Sequence, residues 1–156
     1  MFSELDNEVE AILSRPVAVG ERLQALCDFL RSRVSHYDWF GFYVARKSEE
    51  LLDLGPFSGE ATEHVLIPFG RGICGQAAAS GKAFVVDDVS AASNYLACSL
   101  KVKSEIVVPV FKPGTREVAG EIDIDSHRVA AFTAEDRAFL EGLGPRVAAD
   151  IEAIRI

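Results

Sequence analysis

Between residues 105 and 125 the chain alternates its side chains with a period of two on either side of a Lys112-Pro113-Gly114-Thr115 turn. The run SEIVVPVF reads as one strand and residues 118–125 as the next. Successive side chains on a strand face opposite ways. Ile122 and Ile124 therefore share one face, and Glu121, Asp123 and Asp125 share the other. The chain must build a sheet that accommodates this acidic row. Acids on so apolar a strand form either a solvated face or one wall of a pocket.

The rest of the sequence supplies the layers around such a sheet. Residues 3–13 read as a helix with Leu5, Val9, Ile12 and Leu13 on one face, Ser3 and Asp6 forming an N-cap arrangement and Arg15-Pro16 ending it. A second helix spans 20–35, where Cys27 sits in the stripe of Leu23, Leu26, Leu30 and Val34 and reads as a small buried hydrophobe. Residues 38–46 switch to strand period: Trp39, Gly41, Tyr43 and Ala45 on one face, Phe40, Phe42 and Val44 on the other. The Trp39/Tyr43 face suits a pocket wall or core, and core on both faces is the expectation.

A hairpin partner over 51–56 is broken at Gly55-Pro56 and Ser58-Gly59. A strand over 63–69 carries His64, read as a surface or structural histidine. The glycine-rich turn 70–75 leads into a helix over 76–80, and a brief strand covers 84–86. Residues 87–103 hold the pair Asp87 and Asp88 and show no period, a length that in compact domains is often functional. Thr133 caps a final helix with Phe132 as staple and Glu135 and Asp136 in the first turn; Gly144-Pro145 should kink it. The fold class is α+β: a central antiparallel sheet flanked by helices, one domain over residues 1–156.

With 156 residues the chain can bury a core without disulfides. A formal charge of −8 repels phosphate backbones and anionic membrane surfaces, so no nucleic-acid or membrane partner is expected. No apolar run reaches bilayer length, and the acidic N-terminus lacks a signal-peptide core, so a cytoplasmic location is expected. Three cysteines without a C-x-x-C, and three scattered histidines, argue against a structural zinc site; neither metal nor cofactor is expected. The apolar stripes of the terminal helices make a homodimer an expectation.

Two cysteines could carry chemistry. Cys74 enters a short helix, where free backbone N–H groups and the dipole should lower its pKa. Cys98 lies in the irregular segment. Residue spacing leaves open whether the two thiols meet or are unrelated. If Glu105 converges with Asp123 and Asp125, crowding of like charges raises at least one pKa and can hold a proton for general-acid work. The same cluster would bind an ammonium group.

The runs WFGFYV, LGPF, IPFGRGICG, LAC, SEIVVPVF, EIDIDS and FTAEDRAFL together resemble the free methionine-(R)-sulfoxide reductases, enzymes built on a GAF domain. The resemblance covers about Trp39 to Leu140 and implies a GAF-like sheet. It implies thiol-dependent reduction of free L-methionine (R)-S-oxide, with Cys98 as nucleophile and Cys74 as resolving cysteine. Glu105, Asp123 and Asp125 would hold the substrate amine and protonate the sulfoxide oxygen. Trp39 and Tyr43, with Leu96 and Ala97, would surround the substrate, and thioredoxin would recycle the disulfide. Many members carry a further cysteine where this chain has His64, so recycling would use Cys74 alone. Around the nucleophile, Tyr95-Leu96-Ala97-Cys98-Ser99 replaces the usual His-Ile-Ala-Cys-Asp. The alternative reading is a non-catalytic GAF module that senses a small ligand.

Overall fold

The computed structural model describes residues 1–91 and 101–154. Among the described residues four α-helices, α1 (Phe2–Leu13), α2 (Val19–Arg33), α3 (Gly72–Ser80) and α4 (Ala134–Ala153), surround six strands. The strands are β1 (Trp39–Arg46), β2 (Leu51–Ser58), β3 (Leu66–Pro68), β4 (Phe84–Val86), β5 (Ser104–Phe111) and β6 (Val118–Ser126). They form one antiparallel sheet in the order β3-β2-β1-β6-β5-β4. The expected α+β architecture is present.

One face of the sheet carries the larger core. Phe40 and Phe42 of β1, Ile106 and Val108 of β5, and Ile122 and Ile124 of β6 pack there against Leu23 and Leu26 of α2 and Leu140 and Val147 of α4. The opposite face carries α3, where Ile73, Cys74 and Ala77 pack with Trp39, Tyr43, Ile67 and Val107. Core on both faces of β1 is what its sequence predicts. Every residue of β6 is buried, so Glu121, Asp123 and Asp125 are no solvated face.

Several boundaries differ from expectation. Met1, not Ser3, caps α1, and no side chain makes a capping bond there. The β2 strand continues through Gly55-Pro56 to Ser58, and a register shift opposite Gly41/Tyr43 absorbs the irregularity. The β3 strand is only Leu66–Pro68, so His64 precedes it. The α3 helix starts at Gly72 rather than residue 76, which puts Cys74 inside its first turn. The α4 helix runs on through Gly144-Pro145; the carbonyl four residues before the proline belongs to exposed Glu141.

The start of α4 follows the predicted capping box. Asp136 Oδ2 accepts from the Thr133 backbone N at 2.8 Å, and Thr133 Oγ1 accepts from Asp136 N at 3.4 Å. Asp136 Oδ1 also takes Tyr37 Oη–H at 2.9 Å and contacts His36 Nε2 at 2.8 Å. The apolar stripes that suggested a homodimer are buried inside this one chain, α1 through Leu5, Val9 and Ile12. Among the described residues no helix is long and apolar enough to cross a membrane.

Candidate active site

The glycine-rich turn positions Cys74. The Gly70 backbone N donates to Gly75 O at 2.7 Å, folding the turn back on the first turn of α3. A Cβ on Gly75 would lie 2.5 Å from Pro68 O and 3.0 Å from Gly70 N, so only glycine permits the approach. Cys74 is thereby pressed onto the sheet, 6% exposed.

Strand register brings the acids to the same place. Glu105 pairs with Asp125, Val107 with Asp123, and Pro109 with Glu121, so residues 105, 121, 123 and 125 share the face under α3. Cys74 Sγ lies 4.0 Å from Glu105 Oε2. A carboxylate oxygen of Asp123, one of Glu105 and the Cys74 sulfur are all within 4.8 Å of one another, and these are the described side chains that could share a cation.

This surrounding reverses the expectation for Cys74. Burial, then the charges of Asp123, Glu121 and Glu105, pushes its thiol well above the ordinary value. The helix start offers only about half a charge. Loss of water and three neighbouring carboxyls outweigh it. Burial also raises Asp123, against the hydrogen bonds of Glu105 and Cys74 and the charge of His64. Glu121 is raised well above a normal carboxyl by burial and then by Asp123.

Trp39 and Tyr43 wall the face with their polar ends turned to a loop. Trp39 Nε1–H donates to Glu60 O at 2.9 Å, and Tyr43 Oη–H donates to His64 O at 2.8 Å. The Trp39 ring stacks on Phe57 and lies across Gly41, where a Cβ would sit 2.3 Å from Trp39 Cη2. The predicted residues divide between two cavities. Tyr43, Cys74, Glu105 and Asp123 line a small one, together with His64 and Ile73. Trp39 and Asp125 line a neighbouring one of about 170 Å³ with Arg31, Lys101 and His127. A cavity of about 780 Å³ lies between α4 and the β5–β6 turn; among the described residues no cysteine or histidine lines it, so it offers no comparable chemistry.

Cys98, Leu96 and Ala97 lie outside the described residues. On either side of that stretch, the Val89 backbone N donates to Lys103 O at 2.8 Å and the Lys103 N donates to Ser126 O at 2.8 Å. Both attachments stand at the Glu105/Asp125 end of the sheet. Two residues near Cys74 escaped the sequence-based assignment, His64 on the cavity wall and Glu121 behind it. Glu121 was legible only as a member of the β6 acidic row, and His64 carried no local signal beyond its departure from the family cysteine.

A curled antiparallel sheet with helices on one face and a short helix over an acidic cavity on the other is the architecture of a GAF domain, and the profile of that family matches residues 17–152. The chain is 32% identical over 142 residues to a free methionine-R-sulfoxide reductase of Escherichia coli K12, covering 91% of this chain and 83% of that one. It is 42% identical over 107 residues to one of Saccharomyces cerevisiae; that match takes in 68% of this chain and 58% of the yeast protein. The structure resembles that of a free methionine-R-sulfoxide reductase from Neisseria meningitidis in complex with its substrate. The TM-score is 0.88 at 34% identity, with 97% of this chain and 89% of that one covered. The chain belongs to the free methionine-R-sulfoxide reductase family of GAF domains.

Proposed function

We propose that the chain reduces free L-methionine (R)-S-oxide to methionine by thiol chemistry. The observation that carries the reading is Cys74 Sγ buried against Glu105 and Asp123 on the sheet face, within a family whose named members reduce this substrate. The Cys98 thiolate attacks the sulfoxide sulfur while a carboxyl protonates the oxygen. Asp123, with its raised pKa, is suited to hold that proton. Methionine leaves, and Cys98 carries the oxygen as sulfenic acid. Cys74 displaces this oxygen as water and forms the Cys74–Cys98 disulfide. A thioredoxin dithiol then takes over the disulfide and restores both thiols.

Substrate selection follows from the two cavities. The acidic end, Glu105 and Asp125, would hold the free ammonium, which a peptide-bound methionine lacks. Trp39 and Tyr43 would enclose the methylthio end, with Leu96 and Ala97 beside the nucleophile. A cytoplasmic location would supply the reductant.

The test couples NADPH oxidation to thioredoxin reductase and thioredoxin on free methionine sulfoxide. The expected outcome is turnover on the R epimer, abolished by Cys98→Ser. Cys74→Ser should yield one equivalent of methionine and then stop. Turnover by Cys98→Ser would remove Cys98 as nucleophile. No turnover by the unmodified chain would leave a ligand-binding module.

A further inference from the structure

We propose that the groove between α4 and the β5–β6 turn binds a small phosphate monoester with an apolar body. The groove holds about 780 Å³, the size of a small-molecule site. It lies on the α4 face of the sheet, opposite Cys74. Its charge is opposite to that of the chain. Lys82, Lys112, Arg116 and Arg137 line it against one acid, Glu141, although the whole chain carries a formal −8. Two of these cations are already answered: Lys112 pairs with Glu117, and Arg137 Nε with Glu141 at 2.6 Å. Lys82 and Arg116 have no carboxylate partner among the described residues. Two unanswered cations match a phosphate monoester, which carries about −1.5 to −2 at pH 7.

The groove also fixes where the anion would sit. The Arg116 guanidinium lies over the Phe111 ring, 4.3 Å from its centroid. That ring backs onto Gly81, where a Cβ would lie 3.6 Å from Phe111 Cε1. A guanidinium carried on a ring face keeps its N–H donors for two oxygens of one anion. Val108 and Val110 of β5, with Pro145 and Ala148 of α4, supply an apolar floor for the ester's body. Gly144 keeps that floor open. It sits inside α4, where alanine is the better helix former, and a Cβ there would meet Val110 Cγ2 at an ordinary 3.8 Å. Packing does not demand this glycine, whereas a larger side chain would enter the groove. No spacing rule joins residues 82, 116 and 137, which come from the α3–β4 connection, the β5–β6 turn and α4.

The test titrates the full-length chain calorimetrically with phenyl phosphate, beside inorganic phosphate, benzoate and benzyl alcohol. Phenyl phosphate should bind one to one. The other three should bind at least about tenfold more weakly, since they lack the ring, the second charge or all charge. Lys82→Ala and Arg116→Ala should each weaken phenyl phosphate about tenfold, and high salt should weaken it in the unmodified chain. Both residues are exposed, so these variants should fold. Gly144→Leu should bring phenyl phosphate down to the affinity of inorganic phosphate. Arg33→Ala, which removes an exposed cation paired with Glu8 on another face, should change nothing. No binding of phenyl phosphate, equal binding of inorganic phosphate to the unmodified chain, or full affinity in both Lys82→Ala and Arg116→Ala would each overturn the proposal. So would a dimer in sedimentation that Arg116→Glu dissociates, which would give the groove to a second copy of the chain.

Discussion

Glu121 is a fully buried carboxyl beside Cys74 and Asp123, with the Cys74 thiol its one hydrogen-bonding neighbour among the described residues. Ionising it would bury a charge beside Asp123 that the Cys74 thiol only partly offsets, so its proton is held well above the usual carboxylate range. Above that range the unfolded chain has released the proton and the folded chain still holds it. Folding stability therefore falls as pH rises, by about 1.4 kcal/mol per pH unit per such group, until the folded carboxyl also ionises. Glu121→Gln should remove one group's share of that slope, measured by urea unfolding from pH 4.5 upward. Equal slopes in the two proteins would mean that Glu121 titrates normally. Gly41→Ala tests the wall beside it. Its Cβ would meet Trp39 Cη2 at 2.3 Å and Phe57 Cβ at 2.9 Å. A loss of about 1–3 kcal/mol and a shift in Trp39 fluorescence are expected. At this scale the sequence spoke clearly of identity and poorly of environment. The helix start at Cys74 was readable, but its pKa is reversed by burial and by the charges of Asp123, Glu121 and Glu105, which lie on strands far along the chain.

At the scale of elements, local chemistry was the readable part. The Thr133/Asp136 capping box lies within four residues, and its bonds form as the pattern predicts. The same logic failed at Ser3, where a helix that is held by buried Leu5, Val9 and Ile12 begins one residue earlier without a side-chain cap. Gly55-Pro56 failed as a strand breaker because a register shift against β1 absorbs it. Asp136 does more than cap: Thr133, Tyr37 and His36 all meet its carboxylate. Thr133→Ala should cost about 0.5–2 kcal/mol. Asp136→Ala should cost about 3 kcal/mol or more, since it strands the buried Tyr37 hydroxyl as well. Thermal and chemical denaturation of both variants checks the order. A smaller loss for Asp136→Ala would show that the tyrosine and histidine contacts contribute nothing.

Across the whole molecule, one sheet separates an apolar core from an acidic, thiol-bearing face. The order β3-β2-β1-β6-β5-β4 unites residues 64, 74, 105 and 123 there, and no spacing rule on a single chain yields that order. Periodicity was enough for the layers because helices and strands repeat locally; the site needed strand order and register. The arrangement has a kinetic consequence under the proposed cycle. The two thiols would work in different electrostatic settings, and Cys74, buried among acids, reaches its reactive thiolate only at elevated pH. Closing of the disulfide should therefore accelerate with pH, by about tenfold per unit while Cys74 remains protonated. Single-turnover mixing with one equivalent of sulfoxide separates the steps, with methionine release reporting Cys98 and loss of free thiol reporting Cys74. Glu121→Gln should move the rise in closing rate to lower pH and leave methionine release unchanged in position. A closing rate flat with pH, in both proteins, would mean that the acidic face does not govern Cys74 and that its attack is timed by something other than ionisation.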